Sequence, residues 1–348
     1  MKLGFIGLGK MGSRIALKLL ESDHDVVVWN RSFESVETFK KNYESGIRNN
    51  GKKQKKGILN SSFIIHDSIA GKLTVASTIR ELVTNLESTR VVWLMLPAGE
   101  ATQTVLDEVA KYVQSNDIVI DGGNSHYKDT QKRSEKLKTK SVKYLGIGVS
   151  GGVIAAKEGY PLMVGGDKSA YQHIKPILNS LAKPRGGHAY FGKGGAGHFV
   201  KMVHNGIEYG IMQSLGEGFE VLEKAPYQFD LLKIAKLWQK GTLVSGFMLD
   251  RAVEVLQSDQ NLTNVIGIVN STGEAEWTVK QAKEEGVAVE IIERSLEYRK
   301  RSQTDVKIQQ SFTAKMVAAL RAAFGGHTIQ HPSTPPGTSA QGEEVKKK

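Results

Sequence analysis

The chain has 348 residues, a length that favours two domains, and its 40% hydrophobic and 24% charged content is ordinary for a soluble globular protein. It has no cysteine, which excludes disulfides, thiolate chemistry and cysteine-ligated metals and suits a reducing cytoplasm; no metal, no signal peptide and no membrane span are expected. A formal net charge of +11 favours anionic partners, either phosphorylated metabolites or nucleic acid.

Residues 2–7 form a short apolar strand running into Gly7-Leu8-Gly9-Lys10-Met11-Gly12, after which Ile15, Ala16, Leu19 and Leu20 recur at helical spacing. Strand–GxGxxG–helix is the context a dinucleotide site requires. Gly7 serves the tight turn, Gly9 the approach of a pyrophosphate, and Gly12 the packing of helix on strand, while the helix N-terminus faces the phosphates. A second strand, Asp25–Trp29, ends at Asn30-Arg31-Ser32. The acidic residue that holds a ribose 2′-hydroxyl in NAD sites is missing there, whereas Arg31 and Ser32 donate to a 2′-phosphate; NADP is expected, with NAD as the alternative.

Residues 43–62 break the periodicity and cluster Lys52, Lys53, Lys55 and Lys56, as an inserted surface loop would. No aromatic residues are interleaved to stack bases, so nucleic acid is not the expected partner. Strands follow at 73–76 and 90–96, the second running into Leu96-Pro97-Ala98-Gly99, where open α/β sheets bind ligands. Helix 100–113, strand 118–121 and the turn Gly122-Gly123-Asn124-Ser125 continue the alternation, which indicates a parallel, doubly wound sheet. Strand 142–147 leads to Gly148-Val149-Ser150-Gly151-Gly152. This matches the GxSxG nucleophile elbow, but the elbow needs a helix directly after its serine, and the glycines, then Lys157-Glu158-Gly159, predict a loop. A loop binding a substrate carboxylate through Ser150, Gly151 and Gly152 fits better. Strand 161–164 and helix 168–181 complete a Rossmann-type domain over residues 1–185.

A glycine-rich segment, 186–197, then precedes one long helix to Glu223. Phe199, Met202, Val203, Ile207, Ile211, Met212 and Leu215 form its apolar stripe, and Lys201, His204, Asn205, Glu208 and Tyr209 fall at i, i+3, i+4, i+7 and i+8 on one face. A solvated face with one Lys–Glu pair would show this pattern. Among apolar neighbours, however, the lysine ammonium and the glutamate carboxylate are both disfavoured, which makes one helix a source of both a base and an acid. Amphipathic stretches at 230–240, 244–257, 275–285 and 305–323 predict an all-α domain over residues 186–327. Residues 328–348, with Pro332, Pro335, Pro336 and three terminal lysines, are expected to be a disordered tail.

GLGKMG, DGGNS, GVSGG and above all KMVHNGIEYG resemble 6-phosphogluconate dehydrogenase, the decarboxylating enzyme of the pentose phosphate pathway and of gluconate utilisation, over residues 1 to about 327 and in its short form. The resemblance implies that Lys201 is the base for the 3-hydroxyl and that Glu208 protonates C1. It further implies that Asn124, Ser150, Gly151, Gly152, His204 and Asn205 orient the sugar acid, and that Tyr209 and Arg299 hold its phosphate. Arg321 and His327 match family residues that reach a neighbouring subunit's substrate, so a homodimer or higher homo-oligomer is implied. Lys10, Met11, Leu96, Pro97, Ala98 and Asn124 would join Gly7, Gly9, Gly12, Asn30, Arg31 and Ser32 around the cofactor. One departure is Thr272 and Glu274, where long-form members have a lysine and a threonine; an acid beside a phosphate is unfavourable, so Glu274 is expected to turn away or pair with an arginine, and the phosphate to rest on Arg299, Arg301 and Arg321. The alternatives are a dehydrogenase of unphosphorylated 3-hydroxy acids and a non-catalytic dinucleotide sensor.

Overall fold

The computed structural model describes residues 1–48 and 69–332. In chain order the first part contains β1 (Lys2–Ile6), α1 (Lys10–Glu21), β2 (Asp25–Trp29), α2 (Phe33–Arg48), β3 (Leu73–Val75), α3 (Ile79–Thr84), β4 (Val91–Leu94), α4 (Glu100–Val109), β5 (Ile118–Asp121), α5 (Tyr127–Lys138), β6 (Lys143–Val149), α6 (Ala155–Glu158), β7 (Pro161–Gly166), α7 (Lys168–His173), α8 (Lys175–Ala182) and β8 (Gly187–Gly192). The long helix α9 (Ala196–Glu223) follows, then α10 (Leu231–Trp238), α11 (Phe247–Ser258), α12 (Glu274–Glu284), α13 (Glu290–Ser302), α14 (Val306–Gln310) and α15 (Phe312–Gly325).

Among the described residues the strands form one eight-stranded sheet in the order β3-β2-β1-β4-β5-β6-β7-β8, parallel except for the antiparallel pair β6–β7. Period-2 alternation splits its side chains between two layers. Leu3, Phe5, Val26, Val28 and Trp93 enter one core with α1 and α8, whereas Ile6, Val27, Val92 and Leu94 enter another with α3 and α4. Both faces are therefore covered, which is why these strands are nearly continuous apolar runs. The chain divides into two compact units, Met1–His204 and from Asn205 onward. The second unit is helical, with Met212, Phe219, Leu249, Leu256, Met316 and Leu320 in its core.

Several expected boundaries move. Helix α2 runs to Arg48, so residues 43–48 are helical rather than loop; 49–62, with the lysine cluster, lie outside the described residues. The glycine-rich 186–197 contains β8, which pairs with β7, so the first unit extends past residue 185 into α9. Lys157 and Glu158 lie in the short α6, yet Ser150 is followed by a turn and no helix starts directly after it. Helix 168–181 breaks where Pro176 enters the first turn of α8, and 305–323 breaks at Ser311, whose hydroxyl accepts from Ala314 N and caps α15. Helix α13 carries no clean apolar period in its sequence. Of the expected tail, Ile329 packs on the helical core and Gln330 bridges to Ile266; 333–348 lie outside the described residues.

Helix α9 begins directly on the strands. A Cβ at Gly197 would lie 2.4 Å from Met163 O and 2.5 Å from Gly146 O, and one at Gly165 would lie 2.3 Å from Gly197 N. Backbone meets backbone here with no room for a methyl group. Gly197→Ala should therefore destabilise the protein by about 1–3 kcal/mol in denaturant unfolding, the usual cost of overpacking; Gly9→Ala, whose Cβ would meet nothing within 4 Å, should leave stability unchanged.

Candidate active site

In the first unit the predicted cofactor residues gather at the carboxyl ends of the parallel strands, as doubly wound sheets require. Gly7 after β1 has φ +104°, and a Cβ there would lie 2.3 Å from Met95 O. Gly9 caps α1 with open space above it, which is what close approach of a pyrophosphate demands; Lys10 is exposed and Met11 is half-buried beside it. Asn30 has a role that the sequence did not reveal. Its Oδ1 accepts from Leu8 N at 3.0 Å and its Nδ2 donates to Ser32 O at 3.1 Å, so it fastens the glycine turn to the end of β2. Arg31 and Ser32 stay exposed at the same edge. After β4, Leu96 is half-buried and Pro97 and Ala98 are exposed, with Pro97 O accepting from Thr102 Oγ1 at 2.7 Å. After β5, Asn124 is exposed on its turn.

Beneath those turns lies a buried network that no sequence signal marked, because Arg133 sits in an otherwise solvated, lysine-rich helix. Its Nη1 donates to Asp121 Oδ2 at 3.1 Å and to Ser125 Oγ at 3.2 Å, its Nη2 to Gly99 O at 3.0 Å and its Nε to Gln103 Oε1 at 3.1 Å. Asp121 also accepts from Ser125 Oγ, Tyr144 Oη and Gly123 N. One guanidinium thus ties the 97–99 turn to the 122–125 turn. Burial, then the adjacent Asp121, pushes the Tyr144 hydroxyl well above its ordinary range, so it stays protonated as a donor.

The antiparallel turn from β6 to β7 carries Ser150, Gly151 and Gly152, the two glycines with φ of +90° and +56°. Ser150 Oγ lies 3.3 Å from His204 Nε2. Lys201 is buried, and its stem crosses Gly148 so closely that a Cβ there would stand 2.3 Å from Lys201 Cβ. One turn earlier in α9, His198 is buried with Nδ1 2.7 Å from Thr130 Oγ1; burial lowers its pKa and keeps it neutral. The structure therefore brings together Lys201, His204 and Ser150 at the end of β6.

In the second unit, α9 supplies Asn205 and Tyr209, both buried, and Glu208, which is half-buried. Tyr209 Oη lies 3.1 Å from Ser271 Oγ, and its ring carries the Arg299 guanidinium 3.2 Å from the centroid. Arg299 is 1% exposed, and neither Nη1 nor Nη2 has a hydrogen-bond partner among the described residues. Burial lowers its pKa to about 10, and the positive charge of Arg321 lowers it too, against the opposing pull of Tyr209 and Glu208; at neutral pH it remains a cation. Arg321 is buried, and burial lowers its pKa while Tyr209, Glu208 and Glu274 raise it. Arg321 lies on α15, which packs within the helical core of its own chain. His327 is exposed beyond the end of that helix. Arg301 is not in the cluster: two residues on from Arg299, it projects from another side of α13, exposed, with its guanidinium 5.7 Å from the Tyr298 ring. Thr272 is exposed, while Glu274 turns inward rather than away. Among the described residues there is no group of three or more His, Cys, Asp or Glu able to hold a metal, and no helix long and apolar enough to cross a membrane.

A glycine turn opening onto a helix N-terminus, a lysine at the end of the next half of the sheet and a helical unit with a buried cationic cluster define an NAD(P)-dependent oxidoreductase. The family model for the NAD binding domain of 6-phosphogluconate dehydrogenase matches residues 2–195, and that for the enzyme's C-terminal domain matches residues 197–311. A Bacillus subtilis protein whose 6-phosphogluconate dehydrogenase name is provisional is 36% identical, over 95% of this chain and 99% of that one. The NAD(+)-dependent decarboxylating 6-phosphogluconate dehydrogenase of Haloferax volcanii is 34% identical, over 94% and 98%. The 6-phosphogluconate dehydrogenase structure from Plasmodium falciparum, described with NADP+ and with 6-phosphogluconate, superposes with a TM-score of 0.73 at 30% identity, covering 87% of this chain and 62% of that one. The chain belongs to the 6-phosphogluconate dehydrogenase family. Its relatives include enzymes named for NAD(+) and for NADP(+), and 3-hydroxyisobutyrate dehydrogenase from Mycobacterium tuberculosis, 17% identical, shares the fold.

The buried pair Asp121–Arg133 fixes the two turns on either side of the expected nicotinamide site. Arg133→Met should cost about 3–5 kcal/mol in denaturant unfolding, because it leaves Asp121 buried without its counter-charge; Arg133→Lys, which keeps a charge and loses the fork, should cost less.

Proposed function

We propose that this protein catalyses the NADP+-dependent oxidative decarboxylation of 6-phosphogluconate to ribulose 5-phosphate and CO2, in the cytoplasm and in the pentose phosphate pathway. The observation that carries the substrate is the pair Arg299 and Arg321, two buried cations in electrostatic reach of each other, the first stacked on Tyr209 with neither terminal nitrogen hydrogen-bonded among the described residues. Two like charges in a poorly solvated place call for an anion, and a phosphate satisfies both. This favours 6-phosphogluconate over an unphosphorylated 3-hydroxy acid, whose single anionic group is the carboxylate proposed for the Ser150 loop and which has no second anion for the arginine pair. A sensor would not need both Lys201 and Glu208.

The bound dinucleotide supplies the acceptor for the hydride from C3. Lys201 takes the 3-hydroxyl proton and, as an ammonium, donates to the new C3 carbonyl oxygen. That hydrogen bond stabilises the electron pair left when the C1–C2 bond breaks and CO2 departs. Glu208, two turns further along α9 on the same face, delivers a proton to the carbon that has lost its carboxylate. Ser150, His204, Asn124 and Asn205, with the Gly151 and Gly152 amides, orient the hydroxyls and carboxylate. No acid stands at the end of β2, and Arg31 and Ser32 are exposed there, which supports NADP over NAD. Asn30 supports the site indirectly, by closing the glycine turn. His327 completes the proposed set at the end of α15. Exposed Ile207 and Ile211 on α9, placed in the core stripe by sequence, together with Leu237 and Phe247, support a homo-oligomer in which a second copy covers them.

Lys201→Met should abolish turnover and leave NADPH binding near the wild-type value, measured by nicotinamide fluorescence; turnover at the wild-type rate would remove Lys201 from the chemistry. Arg321→Ala should raise the KM for 6-phosphogluconate on the order of ten- to a hundredfold, the equivalent of one charge-assisted contact of about 1.5–3 kcal/mol; an unchanged KM would remove Arg321 from the site.

A further inference from the structure

Glu274 has no place in the roles above, yet it is built into the same cluster. It is the first residue of α12, 2% exposed, and neither carboxylate oxygen has a hydrogen-bond partner among the described residues. Its neighbours in sequence fix where it stands. Ser271, three residues earlier, meets Tyr209 Oη at 3.1 Å, and Ala275, one residue later, packs with Tyr209 and Leu296. Thr278, one turn on, lies against the α-carbon of Gly206 and donates to Glu274 O. Both flanks of Glu274 are thus held to α9 at Tyr209, the residue on which Arg299 stacks. Its charge also acts on Arg321.

A buried carboxylate without partners is costly unless a ligand satisfies it. Phosphate oxygens beside the arginines cannot do so as acceptors, because a carboxylate is also an acceptor. What satisfies arginines and carboxylate together is a group with acceptors at one end and donors next to them: a phosphate ester on a carbon chain that bears hydroxyls. On the reading of the site given above, we propose that Glu274 is a specificity-determining residue that accepts a hydrogen bond from a substrate hydroxyl near the phosphate ester. The cluster of Arg299, Arg321 and Glu274 then discriminates a polyol phosphate from phosphate alone.

The test compares two ligands by calorimetry on the full chain, 6-phosphogluconate and inorganic phosphate, for wild type, Glu274→Ala and Glu274→Gln. Glu274→Ala should weaken 6-phosphogluconate on the order of ten- to a hundredfold, as loss of a hydrogen bond to a charged acceptor does, while inorganic phosphate binds as well as before or more tightly, since a negative charge has gone. Glu274→Gln, which keeps one acceptor oxygen and the shape, should recover part of the loss. Tighter binding of both ligands to Glu274→Ala would make Glu274 a mere counter-charge to the arginines and overturn the proposal. Equal weakening of both would assign it a structural role and overturn it as well. Wild-type turnover of 6-phosphogluconate is followed in parallel: its absence defeats the functional reading, whereas turnover with an unaltered ratio of the two affinities defeats only the role of Glu274.

Discussion

The first turn of helix α9 lies directly on the β6–β7 strands, and the placement of Lys201 depends on that contact. Gly146, Gly165 and Gly197 bring backbone against backbone, and Gly148 lets the Lys201 stem cross β6. With any side chain at these places the helix would stand off the sheet and Lys201 would leave the end of β6, where Ser150 and His204 meet. Close packing of this kind is unforgiving, since interiors are dense and relax little. The antiparallel reversal from β6 to β7 belongs to the same device, because it returns the chain beside Ser150 and so leaves a turn, rather than a helix, at the end of β6.

The two units solve different electrostatic problems. In the first, the buried charges are paired: Asp121 with Arg133, surrounded by hydrogen bonds from Ser125, Tyr144 and Gly123, which makes a stiff foundation under the turns at 97–99 and 122–125. In the second, Arg299, Arg321 and Glu274 are buried, and among the described residues neither Nη of Arg299 and neither carboxylate oxygen of Glu274 has a hydrogen-bond partner. Charges that are satisfied hold a shape, and charges left unsatisfied wait for a ligand. That contrast sets the hydrogen-bonded scaffold of the first unit apart from the charged cluster of the second.

Most of this was legible in the sequence where a pattern carries a mechanism. The glycine turn after β1, the alternation of strands and helices, and the five-residue polar face of α9 each follow from spacing. What was not legible depended on tertiary packing. Asn30 at a cofactor position proved to be a fastener of the glycine turn, and Arg133 looked like one more surface charge on a solvated helix. β8 was hidden by its glycines, and its alternating exposure is that of an edge strand. Ile207 and Ile211, apolar and in phase with the core stripe, are exposed in the single chain, because periodicity says which residues share a face but not what covers it. Arg301 and Arg299 are indistinguishable by composition, and only the turn of α13 separates them.

The central proposal is that the buried Arg299 and Arg321 select a phosphorylated sugar acid. It is tested most directly by following reduced nicotinamide absorbance with NADP+ and either 6-phosphogluconate or unphosphorylated gluconate as substrate. Turnover of 6-phosphogluconate is expected with a kcat/KM far above that for gluconate. Equal kcat/KM for the two, or turnover only of unphosphorylated 3-hydroxy acids, would contradict it.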